Sequence, residues 1–226
     1  MMYYWVIGMR QAMFKKYLSP GEYQLLKRLD SPAKIQNFLD TLPINFETSG
    51  ETYMSVRRTL AAGTAHCFEG ALLAAAALSY HGRPALILDL RTLPSDEDHV
   101  VALFQEDGYW GAISKTNHPV LRYRDAIYST LRELALSYFH EYTYPLTGKK
   151  TLREFSSRPF DLSRHDPSTW VTADEDLFWL VDLVDEAKHV AIASKKALRK
   201  LRTAGTFEMA AMDRQEWGPD GALHAR

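Results

Sequence analysis

Cysteine is nearly absent from this 226-residue chain, which contains one, Cys67. A single cysteine cannot form an internal disulfide, and it cannot build a zinc site from cysteines alone. The sequence therefore lacks the usual signature of an oxidising compartment, and we expect a cytoplasmic location. We also expect neither a metal ion nor a cofactor.

An excess of charge of either sign is missing too. The chain has 27 basic and 28 acidic residues, a net charge of -1, so it has no general attraction to nucleic acids or anionic membranes. The basic segment Lys195–Arg202 is a local exception, and it could be a nucleic-acid patch. Its apolar residues Ala197, Leu198 and Leu201 favour the solvated face of a helix instead. We expect no nucleic-acid partner.

Long apolar runs are the third absence. The apolar start of the chain, Met1–Met9, is far shorter than the roughly 20 residues that a membrane helix needs, and we interpret it as core sequence. No membrane partner is expected. With 46% hydrophobic residues the composition is typical of a globular protein. We predict one domain over residues 1–206 and a flexible tail over residues 207–226, where glycine and proline accumulate.

Helical patterns occupy both ends of the chain. Ser31 and Pro32 are typical of a helix start, and Pro43 closes that helix. The other predicted helices are Val56–Ala62, ended by Gly63, then Tyr128–Tyr142 and Asp174–Ala191.

The middle of the chain predicts one enclosed helix followed by strands. Cys67–Tyr80 is apolar on nearly every side, which is typical of a helix surrounded by core. Strands are predicted at Ala85–Leu90, His99–Phe104 and Gly108–Ser114, and the short turn before Gly108 predicts that the last two form an antiparallel hairpin. The fold class is therefore α+β.

Cys67 stands at the start of the enclosed helix, a position that favours a reactive thiol. The first turn of a helix presents unpaired N–H groups and the positive end of the helix dipole, which stabilise a thiolate. We expect Gly63 and Thr64 to supply the capping that such a helix start requires.

His99 is the candidate base for this thiol. It opens a predicted strand, and strand alternation places His99, Val101 and Leu103 on one face, so the imidazole would lie at the rim of the sheet. The group that orients the imidazole is less clear, because two residues after the hairpin qualify. Ser114 follows His99 by 15 residues, and Asn117 comes three residues later.

Other polar residues near these positions have alternative explanations. His66 precedes the cysteine, and we expect it to shape the mouth of the pocket rather than to act as the base, because adjacent helical side chains point about 100° apart. A metal site of His66, Cys67 and His99 is disfavoured by the ligand spacing. Asp89 could belong to the site or to the core edge. Lys115, Arg122 and Arg124 could bind an acidic group or form a solvated loop.

The order of a cysteine at a helix start, a histidine at a strand start and a strand that contains Trp110 resembles the transglutaminase-like superfamily. The resemblance covers residues 60–117 most clearly. Taken with SPAKIQNFLDTLPINFE, AHCFEGALLAAAAL, DHVVALF, WGAISKTNH and LRELALSYFHEY, the chain is similar to a bacterial branch of that superfamily.

The resemblance implies a papain-like core in which an antiparallel sheet packs on a central, cysteine-bearing helix, with helices added at both ends. It implies a cysteine hydrolase or acyltransferase that acts on an amide or peptide bond, with Cys67, His99 and either Ser114 or Asn117 as catalytic residues. Ser114 stands where the family usually has an aspartate. The alternative is an inactive member that binds a peptide or a partner protein.

Overall fold

An antiparallel sheet forms the centre of the computed structural model, which describes residue 11 and residues 14–223. Within those residues the sheet has seven strands in the order β4-β3-β2-β1-β5-β7, with β6 paired to β1 beside β5. The strands are β1 Leu86–Arg91, β2 His99–Glu106, β3 Tyr109–Ile113, β4 Arg124–Tyr128, β5 Glu154–Ser156, β6 Phe160–Asp161 and β7 His189–Ala191. The interpretation of Met1–Met9 as core concerns residues outside the described part of the chain.

One helix, Cys67–Tyr80, packs against the sheet and has the predicted bounds. We call it the cysteine helix. Every residue after Cys67 in this helix is buried, since other helices and the sheet surround it. The chain leaves it through Gly82, whose φ of 83° is a conformation that glycine adopts without strain. These contacts confirm the α+β class and the antiparallel sheet packed on a cysteine-bearing helix.

Each face of the sheet belongs to a separate core. Ile87 and Ala102 face the core that contains the cysteine helix, whereas Val101 and Leu103 belong to a second core on the opposite face. The helix Leu131–Tyr138 covers that second core through Leu134, Ala135 and Tyr138. Alternation along β1 and β2 therefore buries both faces of these strands.

The β2–β3 hairpin turns at Asp107 and Gly108, and Glu106 pairs with Tyr109 on either side. Both turn residues have a positive φ, 51° and 84°, which is the backbone of a two-residue primed turn. The prediction of an antiparallel hairpin is thus confirmed. The hairpin fixes the distance along the sheet between the start of β2 and the end of β3.

The remaining helices lie around the cores. Ser31 and Ser55 cap the helices that follow them, each through its side-chain hydroxyl. The helices that lie wholly within the described residues are Pro20–Arg28, Pro32–Leu39, Val56–Ala62, Cys67–Tyr80, Leu131–Tyr138, Pro167–Trp170, Phe178–Asp185, Lys195–Leu198 and Thr206–Met212, with a 3₁₀ turn at Leu162–Arg164.

Two long predicted helices are wrong in their bounds. The sequence pattern predicted a helix from Tyr128, but Tyr128 ends β4 and pairs with Trp110, and the helix starts only after the Thr130 cap. The pattern over Asp174–Ala191 also contains two elements, a helix and the strand β7. In both cases an edge strand pairs with another strand of the sheet, and this pairing overrides the local periodicity.

Of the predicted flexible tail, residues 207–223 are described, and part of this segment contacts the body of the protein. The helix Thr206–Met212 covers its first residues, and the Trp217 backbone exchanges two hydrogen bonds with the side chain of Asn117. Glu216 also forms an ion pair with Arg122. The basic segment before this helix forms the short helix Lys195–Leu198, and Leu198 and Leu201 pack against the second core.

Among the residues that the structure describes, no single helix combines the length and the apolar composition that membrane crossing requires. The helices Val56–Ala62 and Cys67–Tyr80 reach both only when they are counted together across a bend of 114°.

Candidate active site

The cysteine helix begins at the rim of the sheet and places Cys67 in a cleft. The first residue of an α-helix has an N–H group without a partner inside the helix, and it lies at the positive end of the dipole. Cys67 is half-buried and is a free thiol. It lines a cavity of about 810 Å³ together with His66 and His99, a volume within the range of small-molecule sites.

The residue that caps the cysteine helix is His66. Its Nδ1 accepts a hydrogen bond of 3.2 Å from the Phe68 N–H, and its Nε2 donates to the Thr52 carbonyl at 2.8 Å. The expectation that Gly63 and Thr64 supply the cap was therefore wrong. Gly63 instead ends the preceding helix in a left-handed conformation.

Glu69 holds the helix start to the loop that precedes it. This fully buried carboxylate accepts hydrogen bonds from the His66 N–H at 3.0 Å and the Met54 N–H at 3.1 Å. It also accepts bonds from the side chains of Asn45 and Thr52. A glutamate three residues after a capping residue is a capping-box spacing, so the sequence contained a signal for this role.

His99 starts β2 and is 6% exposed. Its Nε2 lies 2.7 Å from the Ser114 hydroxyl oxygen, and that hydroxyl donates its one proton to the Leu121 carbonyl. Ser114 must therefore accept from the imidazole, so the proton of neutral His99 is on Nε2. Nδ1 is then the ring nitrogen available to a thiol.

Of the two candidates for the orienting group, the structure brings Ser114 to His99. The Asn117 side chain makes its hydrogen bonds to the Trp217 backbone, at 2.9 Å from Nδ2 and 2.8 Å from Oδ1. Asn117 lines the cavity but does not orient the imidazole, which corrects the second option. The Ser114 backbone is itself held by Gln36, which bonds both its N–H and its carbonyl.

The electrostatic environment of Cys67 favours the thiolate. Burial raises the pKa of the thiol, but hydrogen bonds with His66 and His99 and the charges of both imidazoles lower it by more, so this pKa lies well below its ordinary value. Burial lowers the pKa of His66, whereas the hydrogen bond and charge of Cys67 raise it, followed by Glu69 and Thr52. The resulting His66 pKa is about 9.

His66 was predicted only to shape the mouth of the pocket, but it also caps the helix and interacts with the thiol of Cys67. When it is neutral, Nδ1 caps the helix, and when it is charged, the proton on Nδ1 displaces that cap and turns the nitrogen into a donor. The thiolate of Cys67 is the partner that favours the charged form.

The three basic residues after β3 serve the fold. Lys115 is 1% exposed and donates to the Leu42 carbonyl, and burial lowers its pKa to about 8. Arg122 pairs with Glu216 and Asp40, and Arg124 pairs with Glu141. Neither predicted role, an acid-binding cluster or a solvated loop, describes these contacts.

Asp89 lies apart from this site. Its carboxylate pairs with His189 at 2.9 Å, and both side chains are buried. This places Asp89 at the core edge, the second of the two options.

The walls of the cavity are acidic. Lys115 is the one lysine or arginine among the lining residues that the structure describes, against six with carboxylates: Glu47, Asp96, Glu97, Asp98, Glu141 and Asp213. A polyanion would be repelled by such walls. Within the described part of the chain, no group of three or more His, Cys, Asp or Glu side chains is arranged to hold a metal ion.

No family model matches the chain. A search of curated proteins found no significant match either.

Proposed function

We propose that this chain is a transglutaminase-like cysteine enzyme with a papain-like core, which transfers an acyl group from an amide or a peptide bond. The observation that carries the proposal is the position of Cys67, at a helix start and between two imidazoles, on the wall of a cavity. A thiol with a lowered pKa in such a cleft is a candidate nucleophile.

In the proposed reaction the Cys67 sulfur attacks the carbonyl carbon of the substrate, and the carbonyl π electrons move to the oxygen. His99 gives a proton to the departing amine as the C–N bond breaks, which leaves a thioester. Water or a second amine then attacks the thioester, His99 removes its proton, and Cys67 is released. The product is a carboxylic acid or a new amide.

Two features of the site support this assignment. The Ser114 hydroxyl fixes His99 with Nδ1 available to the thiol, which a proton shuttle requires. The acidic walls of the cavity suit a neutral or cationic peptide better than a polyanion.

Alkylation of Cys67 tests the proposal, and denatured protein is the internal control. At pH 6 a thiol of ordinary pKa is ionised to roughly 0.3%, so iodoacetamide should label the unfolded chain slowly. We expect native Cys67 to react at least about tenfold faster, even after the lower nucleophilicity of a low-pKa thiolate is allowed for. Mass spectrometry gives both rates, and equal rates would contradict an activated thiolate.

Ser114 also favours a second candidate function, a binding protein with this fold but without turnover. A serine hydroxyl carries no charge to stabilise an imidazolium, and loss of the carboxylate costs about 10⁴ in a serine protease triad. Steady-state hydrolysis of peptide nitroanilides by the wild type and by Cys67→Ala separates the two. Turnover that disappears in Cys67→Ala supports the enzyme, whereas equal rates with a reactive Cys67 support the binding protein.

A further inference from the structure

Tyr142 has a buried hydroxyl group without a hydrogen-bond partner among the described residues. The residue is 3% exposed, and it lines the same cavity as Cys67 and His99. A buried hydroxyl without a partner is uncommon, because its desolvation is not compensated. Such a group in a cleft points to a ligand that accepts its hydrogen bond.

The backbone around Tyr142 holds this hydroxyl in place. The Tyr142 N–H donates to the Tyr138 carbonyl at 3.3 Å, and the Tyr142 carbonyl accepts from the Thr151 N–H at 3.0 Å. Its ring belongs to the second core, beside Phe139 and Leu152. The phenol is thus fixed before any substrate binds, which is the condition for electrostatic stabilisation without reorganisation.

The charge that acts most strongly on the phenol belongs to Cys67. Burial raises the pKa of Tyr142, the Cys67 thiolate raises it next, and the carboxylates of Asp89, Asp98 and Asp96 follow. The pKa therefore lies well above its ordinary value, so the phenol keeps its proton and remains a hydrogen-bond donor.

We propose that Tyr142 is a catalytic residue whose phenol donates a hydrogen bond to the carbonyl oxygen of the acyl group that Cys67 attacks. The inference rests on the function proposed above and adds to it the group that stabilises the oxyanion. The backbone N–H of Cys67, the first in its helix, is the natural second donor, because it has no acceptor within the helix.

With p-nitrophenyl acetate as the probe, the step balances without a further reactant. The thiolate forms a C–S bond with the carbonyl carbon, and the π pair moves to the oxygen, which accepts the hydrogen bond from Tyr142. The pair then reforms the carbonyl as the C–O bond breaks and nitrophenolate leaves. An acetyl thioester remains on Cys67.

Two reactions of Cys67 distinguish an oxyanion donor from a group that merely tunes the thiol. Alkylation by iodoacetamide displaces iodide and forms no oxyanion, whereas acylation by p-nitrophenyl acetate does. For Tyr142→Phe we expect acylation to fall at least about tenfold, while alkylation stays within about twofold of the wild type. Nitrophenolate absorbance and mass spectrometry report the two rates.

Tyr138→Phe is the matched control. It also removes one buried phenol oxygen, but that hydroxyl donates to the Arg122 carbonyl at 3.1 Å and Tyr138 does not line the cavity. We expect this variant to keep both reaction rates and to unfold at a lower urea concentration. Tyr142→Phe should not unfold earlier, since the hydroxyl that it loses has no partner.

Each other outcome overturns the inference in a recognisable way. If Tyr142→Phe is acylated at the wild-type rate, the catalytic role of Tyr142 is rejected and the proposed function is unaffected. An equal fall in acylation and alkylation assigns Tyr142 to the ionisation of the thiol instead. If the wild type shows no acylation that depends on Cys67, both proposals are rejected.

Infrared spectroscopy of the ¹³C-acetyl enzyme is a test that needs no variant. The frequency of its carbonyl band should be lower than that of the same thioester in the unfolded protein.

Discussion

Cys67 lies between two imidazoles that are held by different means. His99 is oriented through a side chain, the Ser114 hydroxyl, whereas His66 bonds to two backbone groups, the Phe68 N–H and the Thr52 carbonyl. The carboxylate nearest to this pair is on the His66 side, where Glu69 Oε1 lies 3.6 Å from the His66 ring. Positive charge next to the thiolate is therefore stabilised from the helix start, whereas Ser114, the residue that follows β3, carries no charge.

His66→Asn separates the cap of the helix from the charge beside the thiol. Asparagine is a good capping residue, so the fold should be retained, but it cannot carry a positive charge. We expect the pH midpoint of Cys67 alkylation to rise by about one unit. The difference from the wild type should vanish above about pH 9, where His66 is itself neutral. An unchanged midpoint would show that His99 alone stabilises the thiolate.

Ser114→Ala tests the orientation of His99. Alanine cannot accept the proton on Nε2, so the imidazolium loses a hydrogen bond of the kind that contributes about 1.5–3 kcal/mol. We expect acylation by p-nitrophenyl acetate to slow about tenfold, with a higher pH midpoint.

Asn117→Ala is the control for this test. Its side chain bonds Trp217 rather than His99, so the pH profile should be unchanged while proteases cut the C-terminal segment faster. The opposite pattern in the two variants would restore Asn117 as the orienting residue.

At the scale of elements, the site depends on how closely the cysteine helix approaches the segment after β3. A Cβ atom built on Gly70 would lie 2.5 Å from the Cβ of Lys115, which is closer than two such atoms can come. Lys115 follows Ser114 directly and donates to the Leu42 carbonyl. The absence of a side chain at Gly70 thus sets the position of the residue that orients His99.

Gly70→Ala should therefore destabilise the protein by about 1–3 kcal/mol in urea unfolding, as overpacked cores do, despite the better helix propensity of alanine. Acylation should fall as well, because Ser114 moves with Lys115. Gly21→Ala is the matched control, because a Cβ on this helical residue meets nothing within 4 Å. That variant should be unchanged or up to about 1 kcal/mol more stable. Equal stability of the two variants would contradict the close approach.

Local signals predicted the parts of the fold that are local. The cysteine helix is marked by its apolar run and its glycine exit, and the hairpin is marked by Asp107 and Gly108, so these elements were predicted correctly. The strands β5 and β7, of three residues each, are too short to show alternation, and their pairing with each other joins segments more than 30 residues apart. The sequence could not decide whether Ser114 or Asn117 orients His99. The Asn117 side chain is bound by the Trp217 backbone, and Trp217 is 100 residues away from Asn117.

Across the whole molecule, a buried ion pair joins the outer edge of the sheet to its centre. His189 on β7 donates from Nε2 to Asp89 on β1, and its Nδ1 donates to the Ala187 carbonyl at 2.7 Å. Two donating ring nitrogens require the charged imidazole. The hydrogen bond to Asp89 raises the pKa of His189, burial lowers it, and the charge of Asp89 raises it further, so the pKa lies above the ordinary value.

This shift predicts how stability depends on pH. A histidine whose folded pKa is raised contributes stability that is fully present below its unfolded pKa of about 6.5 and is lost as the pH rises through the folded value. The wild type should thus have a larger free energy of unfolding than His189→Gln. This difference should be greatest near pH 5.5 and should become smaller towards pH 9.

An Asp89→Asn background is the control. There the difference between the protein that keeps His189 and the one with His189→Gln should no longer depend on pH in this way, because the carboxylate that raises the pKa of His189 is gone. Urea titrations of the four proteins at a series of pH values measure this, and a difference that is constant in the wild-type background would show that β7 is held without the charge on His189.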